Sequence, residues 1–262
     1  MSLTSTLRVY NHIKGEPDSR DFKYTMTLRA SAKQTLPVII DFRQLYPRFM
    51  PNVFDQGGLG CSAVSACSNA VRFVLRKEKN KELNPSRLYM YWFARFVENP
   101  DNDFSDSGVT IRSILSSIHT YGLCEASLFP YNVNKYKIKP PNKCIRSATP
   151  NTRDFKYLSV DNTNLTLIKQ VLVAGLPIIF GMNVYESFES ETVTRTGMVV
   201  MPRDTENLLG GHVALIVGYD ESKRCFIVMN SWGINWGDKG YFYLPYDYLP
   251  FTSDMWVLKF FE

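Results

Sequence analysis

The run Gly210-Gly211-His212-Val213-Ala214-Leu215-Ile216-Val217-Gly218-Tyr219 constrains the fold more than any other stretch of the chain. It leads through a polar turn, Asp220 to Arg224, into Cys225-Phe226-Ile227-Val228-Met229-Asn230-Ser231-Trp232-Gly233. Two apolar runs separated by a short polar turn read as adjacent antiparallel strands. Such a pairing can bring Asn230 beside His212, eighteen positions earlier in the chain. An Asn side chain accepts from one imidazole nitrogen and leaves the other facing a reacting group, which is how a catalytic base is oriented.

A nucleophile to match that base lies far upstream. Asp55-Gln56-Gly57-Gly58-Leu59-Gly60-Cys61-Ser62-Ala63 puts a cysteine after a glycine-rich turn and before a helix-like apolar run, Ala63 to Leu75. The dipole at a helix N-terminus favours a negative charge, and the thiolate is the nucleophilic form. Gln56 carries an amide able to donate to an oxyanion, so the loop points to acyl transfer. The chain has only three histidines. His12 lies in a polar extension, and His119 reads as a partly exposed helical residue. His212 is the best base. Taken alone it would read as a satisfied core histidine, and Asn230 as a plain hairpin residue.

Together these segments resemble the active site of papain-like cysteine peptidases. The resemblance is strongest in Asn230-Ser231-Trp232-Gly233-Ile234-Asn235-Trp236-Gly237, continuing to Gly240-Tyr241-Phe242. Leu36-Pro37-Val38-Ile39-Ile40-Asp41-Phe42-Arg43 resembles the start of a mature family enzyme, and Tyr121-Gly122 with Phe129-Pro130-Tyr131 another family landmark. The similarity runs from about Leu36 to the C-terminus. It implies an α+β, two-lobe fold, with a helical N-terminal lobe, an antiparallel β-barrel-like C-terminal lobe and the cleft between them. It implies a catalytic set of Cys61, His212 and Asn230, with Gln56 and the Cys61 backbone N–H as oxyanion donors and Trp232 shielding the His–Asn bond. Gly108, in Asp106-Ser107-Gly108, resembles the glycine strip that pairs with the substrate backbone.

Two departures stand out. The family has six steps from Gln to Cys, and here there are five. Without a gap, Ser62 falls on the nucleophile position; with a one-residue gap Cys61 does, and Ala63 then sits two after it as in the family. The gapped register is adopted here. The family's Trp after the Cys is replaced by Ser62, and Gly58 or Leu59 stands where a disulfide cysteine is usual. Both losses resemble a prodomain-poor microbial or viral branch.

Composition excludes other classes. With 262 residues, 45% of them hydrophobic and 14% aromatic, the chain can bury a sizeable core. The net charge of +5 is scattered. The cluster Arg76 to Lys81 reads as a solvated helix end, and Lys135 to Lys143 as an exposed loop. No basic face interleaved with aromatics is visible, so a nucleic-acid partner is not expected. No apolar run approaches the ~20 residues that span a bilayer, and no signal peptide is visible, which favours an intracellular or virion-associated setting. The five cysteines show no Cys-x-x-Cys pair, so neither a zinc site nor a disulfide scaffold is expected. Cys67 and Cys225 read as buried apolar residues, and Cys124 and Cys144 are free to pair.

Residues 1–35 read as an extension and residues 36–262 as the peptidase domain. Three placements are open for the extension: a surface arm, a short stub replacing a prodomain, or a segment lying across the cleft. A helix-dominated half, about 55–150, precedes a sheet-rich half, about 151–262. Helices are expected over Ser62 to Arg76, Pro85 to Val97 with Asn84 or Ser86 as N-cap, Thr110 to Tyr121 with Gly122 as C-cap, and Asn162 to Ala174. Strands are expected over Leu176 to Met182, Met198 to Met201, Val213 to Gly218, Phe226 to Met229 and Gly240 to Leu244.

The function expected is that of a cysteine endopeptidase acting through a Cys-His-Asn triad and a thioester acyl-enzyme. It would need no metal or organic cofactor, take a peptide or protein substrate and work as a monomer without a membrane. The alternatives are a transacylase or deconjugase on the same fold, and a non-catalytic peptide-binding homologue.

Overall fold

The structure, a computed structural model, describes residues 8–25, 35–148 and 155–260. After a short strand β1 (Ile39–Asp41) and one turn of helix α1 (Phe42–Leu45), the first half is built from α2 (Ser62–Lys79), α3 (Arg87–Glu98), α4 (Ile111–Tyr121) and α5 (Asn142–Ala148). The starts of α3 and α4 are fixed by Ser86 and Thr110, whose hydroxyls accept from the N–H of Tyr89 and Ser113. Asn80 in a left-handed conformation ends α2, and Gly122 ends α4. From Ser62 to Leu75, α2 is buried on every side, the mark of a helix enclosed by its neighbours. It packs on α3 and α4 on one side and on the sheet on the other. The aromatic stripe of α3 is core, with Trp92 stacked on Phe104 at 4.6 Å between centroids.

The second half holds β2 (Phe155–Val160), α6 (Leu165–Val173), β3 (Ile178–Tyr185), α7 (Glu191–Thr196), β4 (Leu208–Asp220), β5 (Cys225–Met229), β6 (Tyr241–Pro245) and β7 (Thr252–Phe260). The antiparallel sheet runs β2-β7-β3-β4-β5-β6, and β1 pairs with the end of β4 beyond the reach of β3. The sheet is open rather than barrel-like, with β2 and β6 at its two ends. The free side of β2 is met by the extension: Tyr24 N–H donates to Ser159 O (2.8 Å) and Ser159 N–H to Phe22 O (2.8 Å).

The β4–β5 hairpin turns where the polar residues lie, with Ser222 N–H donating to Asp220 Oδ1 (3.0 Å) and Arg224 at φ 51°. Met198 to Met201 is not a strand; Met198 makes an isolated bridge to Tyr243. All five cysteines are buried and free, and Cys124 and Cys144 do not pair. Burial and the neighbouring Cys144 push the Cys124 thiol up to about 12.

Candidate active site

The hairpin does for His212 and Asn230 what its sequence demands. In β4, Leu215 pairs with Met229 of β5, so His212 and Asn230 project from one end of the paired strands. His212 Nε2 lies 2.8 Å from Asn230 Oδ1, which also accepts from the Ser231 N–H (2.8 Å). An acceptor at that distance fixes the proton on Nε2 and leaves a lone pair on Nδ1. Nδ1 is buried without a hydrogen-bond partner. The Trp232 ring covers the imidazole at 4.8 Å between centroids, and Trp236 meets Trp232 edge-on at 4.8 Å. Burial pushes the His212 imidazolium down to about 4; the Asn230 bond opposes the shift and the charges of His12 and Arg8 reinforce it.

The glycine-rich loop is tied to the Asn230 box by its backbone. Gln56 N–H donates to Ser231 O (2.9 Å) and Gly233 N–H to Phe54 O (2.9 Å). The Gln56 side chain is buried, its Oε1 accepting from Ser231 Oγ (2.6 Å) and its Nε2 donating to Leu59 O (3.0 Å). The Cys61 N–H also donates to Leu59 O (2.8 Å), so it does not face the cleft as an oxyanion donor.

At the start of α2, two side chains diverge. Cys61 is the N-cap residue, and its Sγ lies 3.0 Å from the Tyr131 hydroxyl, whose proton goes to Gln56 O (2.7 Å). The Arg87 guanidinium stacks over the Tyr131 ring at 3.6 Å. Burial raises the Cys61 thiol above its ordinary value, with the Tyr131 bond and the Arg87 charge pulling the other way. The thiol expected to face His212 is thus turned into the helical lobe, and the low-pKa thiolate expected from the helix dipole is outweighed by desolvation. Ser62, the first residue of α2, is the one that crosses to the sheet: its Oγ accepts from the Val213 N–H (3.2 Å), next to His212 in β4.

Between these walls lies the extension. Asn11 bridges Gly211 in parallel, and His12 N–H donates to Gly211 O (3.1 Å). On the helical side, Asn11 Nδ2 donates to Asp106 O (2.9 Å). A Cβ at Gly108 (φ +75°) would overlap the Asn11 carbonyl, and one at Gly210 (φ +139°) the Tyr10 carbonyl. Both glycines therefore allow a close backbone approach that other residues would block. Tyr10 meets His212 and Trp232 edge-on at 6.3 and 6.0 Å. Arg8 lies over Trp232 at 4.1 Å, and Arg8 and Tyr10 both bond Glu189. The His12 side chain is buried, its Nε2 3.3 Å from Asp254 Oδ2. Of the three placements open for the extension, its described part takes the one across the cleft. His119 is exposed on α4, as its sequence position suggested.

Sequence reasoning assigned no role to Tyr131, Arg87, Asp106 or Ser231. Asp106 accepts from the Gly60 N–H (2.9 Å) and the Tyr91 hydroxyl (2.5 Å), pinning the loop to the helical lobe. The signal was present in the Asp106-Ser107-Gly108 and Phe129-Pro130-Tyr131 segments, but no spacing says which side chain they turn toward the loop.

Comparison with known proteins supplies the family. The sequence model of the papain family of cysteine proteases matches residues 36–248. The chain belongs to the papain family. It is 36% identical to an uncharacterised peptidase C1-like protein of Acanthamoeba polyphaga mimivirus, over 98% of this chain and 88% of that one. Xylellain, a cysteine protease from Xylella fastidiosa, superposes with a TM-score of 0.86 at 30% identity, over 100% of both chains. Cathepsin S of Rattus norvegicus is 27% identical over 85% of this chain, which spans 64% of that protein. Membership of the papain family makes the chain a hydrolase of that protease family with the papain-like fold.

Proposed function

We propose that this papain-family member cleaves peptide bonds within an extended chain bound across the cleft, through an acyl-enzyme formed at the start of α2. The observation that carries the reading is the His212–Asn230 pair: Nε2 held at 2.8 Å, Nδ1 buried and unpartnered, and an indole over both. Closing water away from such a bond strengthens it. His212 Nδ1 takes the proton of the attacking group and later gives it to the leaving amine. Asn230 holds the tautomer. Gln56 has a second amide hydrogen for the oxyanion beyond the one spent on Leu59 O.

The extended course of residues 8–12 past Gly108, Gly210 and Gly211 supports a peptide as the ligand of this cleft. The same segment keeps the chain latent by occupying the place a substrate would take. The main-chain groups that hold it would serve a substrate equally well.

The test uses the full chain carrying Tyr10→Ala and Asn11→Ala, which loosen the segment, with a fluorogenic peptide mixture as substrate. Hydrolysis should appear in this background, and His212→Ala should remove it by at least ~10³-fold. Undiminished turnover without His212 would overturn the reading. Release of an amide adduct when a primary amine is added would instead indicate acyl transfer.

A further inference from the structure

We infer that the nucleophilic atom of this cleft is the hydroxyl oxygen of Ser62, not the sulfur of Cys61. The inference rests on the hydrolytic reading above and names the atom that reading leaves open.

Three observations converge on Ser62. The first is direction. Ser62 Oγ reaches across the lobe boundary to the Val213 N–H (3.2 Å), at the peptide unit adjoining His212, whereas Cys61 Sγ points away to Tyr131 (3.0 Å). Cys61 Sγ shares the Tyr131 hydroxyl with the Gln56 carbonyl, while the His212 ring is bonded to Asn230. The thiol and the imidazole thus belong to separate networks.

The second is proton inventory. Ser62 Oγ accepts from Val213, so its own hydrogen remains to be given. His212 Nδ1 is a buried acceptor with no partner. A thiolate mechanism stores an imidazolium beside the sulfur before substrate arrives. With the extension in place, burial pushes His212 down to about 4 and keeps it neutral. A neutral imidazole is the form that a hydroxyl nucleophile requires.

The third is the backbone. The Cys61 N–H is spent on Leu59 O. Ser62 opens α2, and a first-turn N–H has no carbonyl one turn back within the helix. An oxyanion formed on Ser62 would therefore meet the nucleophile's own N–H, with Gln56 Nε2 as the second donor.

The step balances without a co-reactant. Ser62 gives its proton to His212 Nδ1 as Oγ bonds the carbonyl carbon. The C–N bond then breaks, and the amine leaves with the proton from Nδ1. Water loses a proton to Nδ1 as its oxygen attacks the ester. Ser62 recovers that proton as the acid departs. Cys61 is left as a loop residue that anchors the turn to Tyr131.

The test uses the full chain with Tyr10→Ala and Asn11→Ala. It is treated with a fluorophosphonate probe, and adducts are mapped by mass spectrometry. Ser62→Cys is treated in parallel with iodoacetamide at pH 6. An adduct on Ser62 that His212→Ala removes supports the inference. So does alkylation of Ser62→Cys at least tenfold faster with His212 than without it. Ser62→Ala should lower hydrolysis more than ~10³-fold, and Cys61→Ala should still take the fluorophosphonate label. His212-dependent alkylation of Cys61, with hydrolysis lost in Cys61→Ala and kept in Ser62→Ala, overturns the inference and leaves the peptidase reading standing. No hydrolysis, together with no His212-dependent reaction at either position, overturns both.

Discussion

The guanidinium of Arg8 sits 4.1 Å from the ring centroid of Trp232, and that same indole covers His212. The extension is thereby fastened to the residue that covers His212, and Glu189 holds Arg8 and Tyr10 from the other side. Arg8→Ala removes a partly buried cation–π contact and an ion pair, together worth about 1–2 kcal/mol. The basal hydrolysis of the full chain should rise about five- to thirtyfold. Steady-state assay with a fluorogenic peptide checks this, and an unchanged rate would show that Arg8 does not hold the segment down.

A second outcome concerns acid. His212 has an ordinary value of 6.5 and is pushed down to about 4 by burial, so the unfolded chain binds its proton more readily than the folded one. Its contribution is fully present above about 6.5 and is lost as pH falls towards 4, a change of order 3 kcal/mol at most. Urea denaturation between pH 7 and 4 should show a steeper acid loss for the natural chain than for His212→Gln. Parallel curves would rule out His212 as the source.

Gly108→Ala should act on the extension before it acts on the core. Its φ of +75° strains any side chain, and the new Cβ would overlap the Asn11 carbonyl. Residues 8–16 should become several times more sensitive to limited proteolysis, while global stability falls by only about 1–2 kcal/mol. Equal digestion rates in the two proteins would show that the segment does not depend on this approach.

Tyr131→Phe leaves the Cys61 thiol and the Gln56 carbonyl without their shared hydroxyl. Loss of a buried two-way bond costs about 1–3 kcal/mol. The unfolding midpoint should fall accordingly in chemical denaturation, while hydrolysis in the Tyr10→Ala, Asn11→Ala background drops less than tenfold. A loss as large as that of His212→Ala would place Tyr131 among the reacting groups.

The parts legible in the sequence are those set by local pattern. The polar turn Asp220 to Arg224 between two apolar runs specified the β4–β5 hairpin, and with it the His212–Asn230 bond. Ser86, Thr110 and Gly122 marked helix ends because capping is local chemistry. The strand β2 carries a mixed pattern, since only Phe155 and Val160 at its ends are buried, and it escaped notice, as did the largely buried β7. The start of α2 was the hardest point. Cys61 and Ser62 are neighbours, and which of them faces the sheet depends on where the helix begins: the helix starts at Ser62, and one position turns a side chain by about 100°. The six-step spacing from Gln56 does fall on Ser62, and adopting the gapped register set that signal aside. The course of the extension was equally hidden, because its contacts are made with residues far along the chain, from Asp106 to Trp232.

The contacts of Phe22 and Tyr24 with Ser159 have a bearing on solubility. These residues cover the outer side of β2, one of the two ends of an open sheet. An uncovered edge strand is a template for pairing with another chain. Removal of the whole extension would free the cleft and bare that edge together. The change that would open the cleft would also uncover a pairing edge of the sheet.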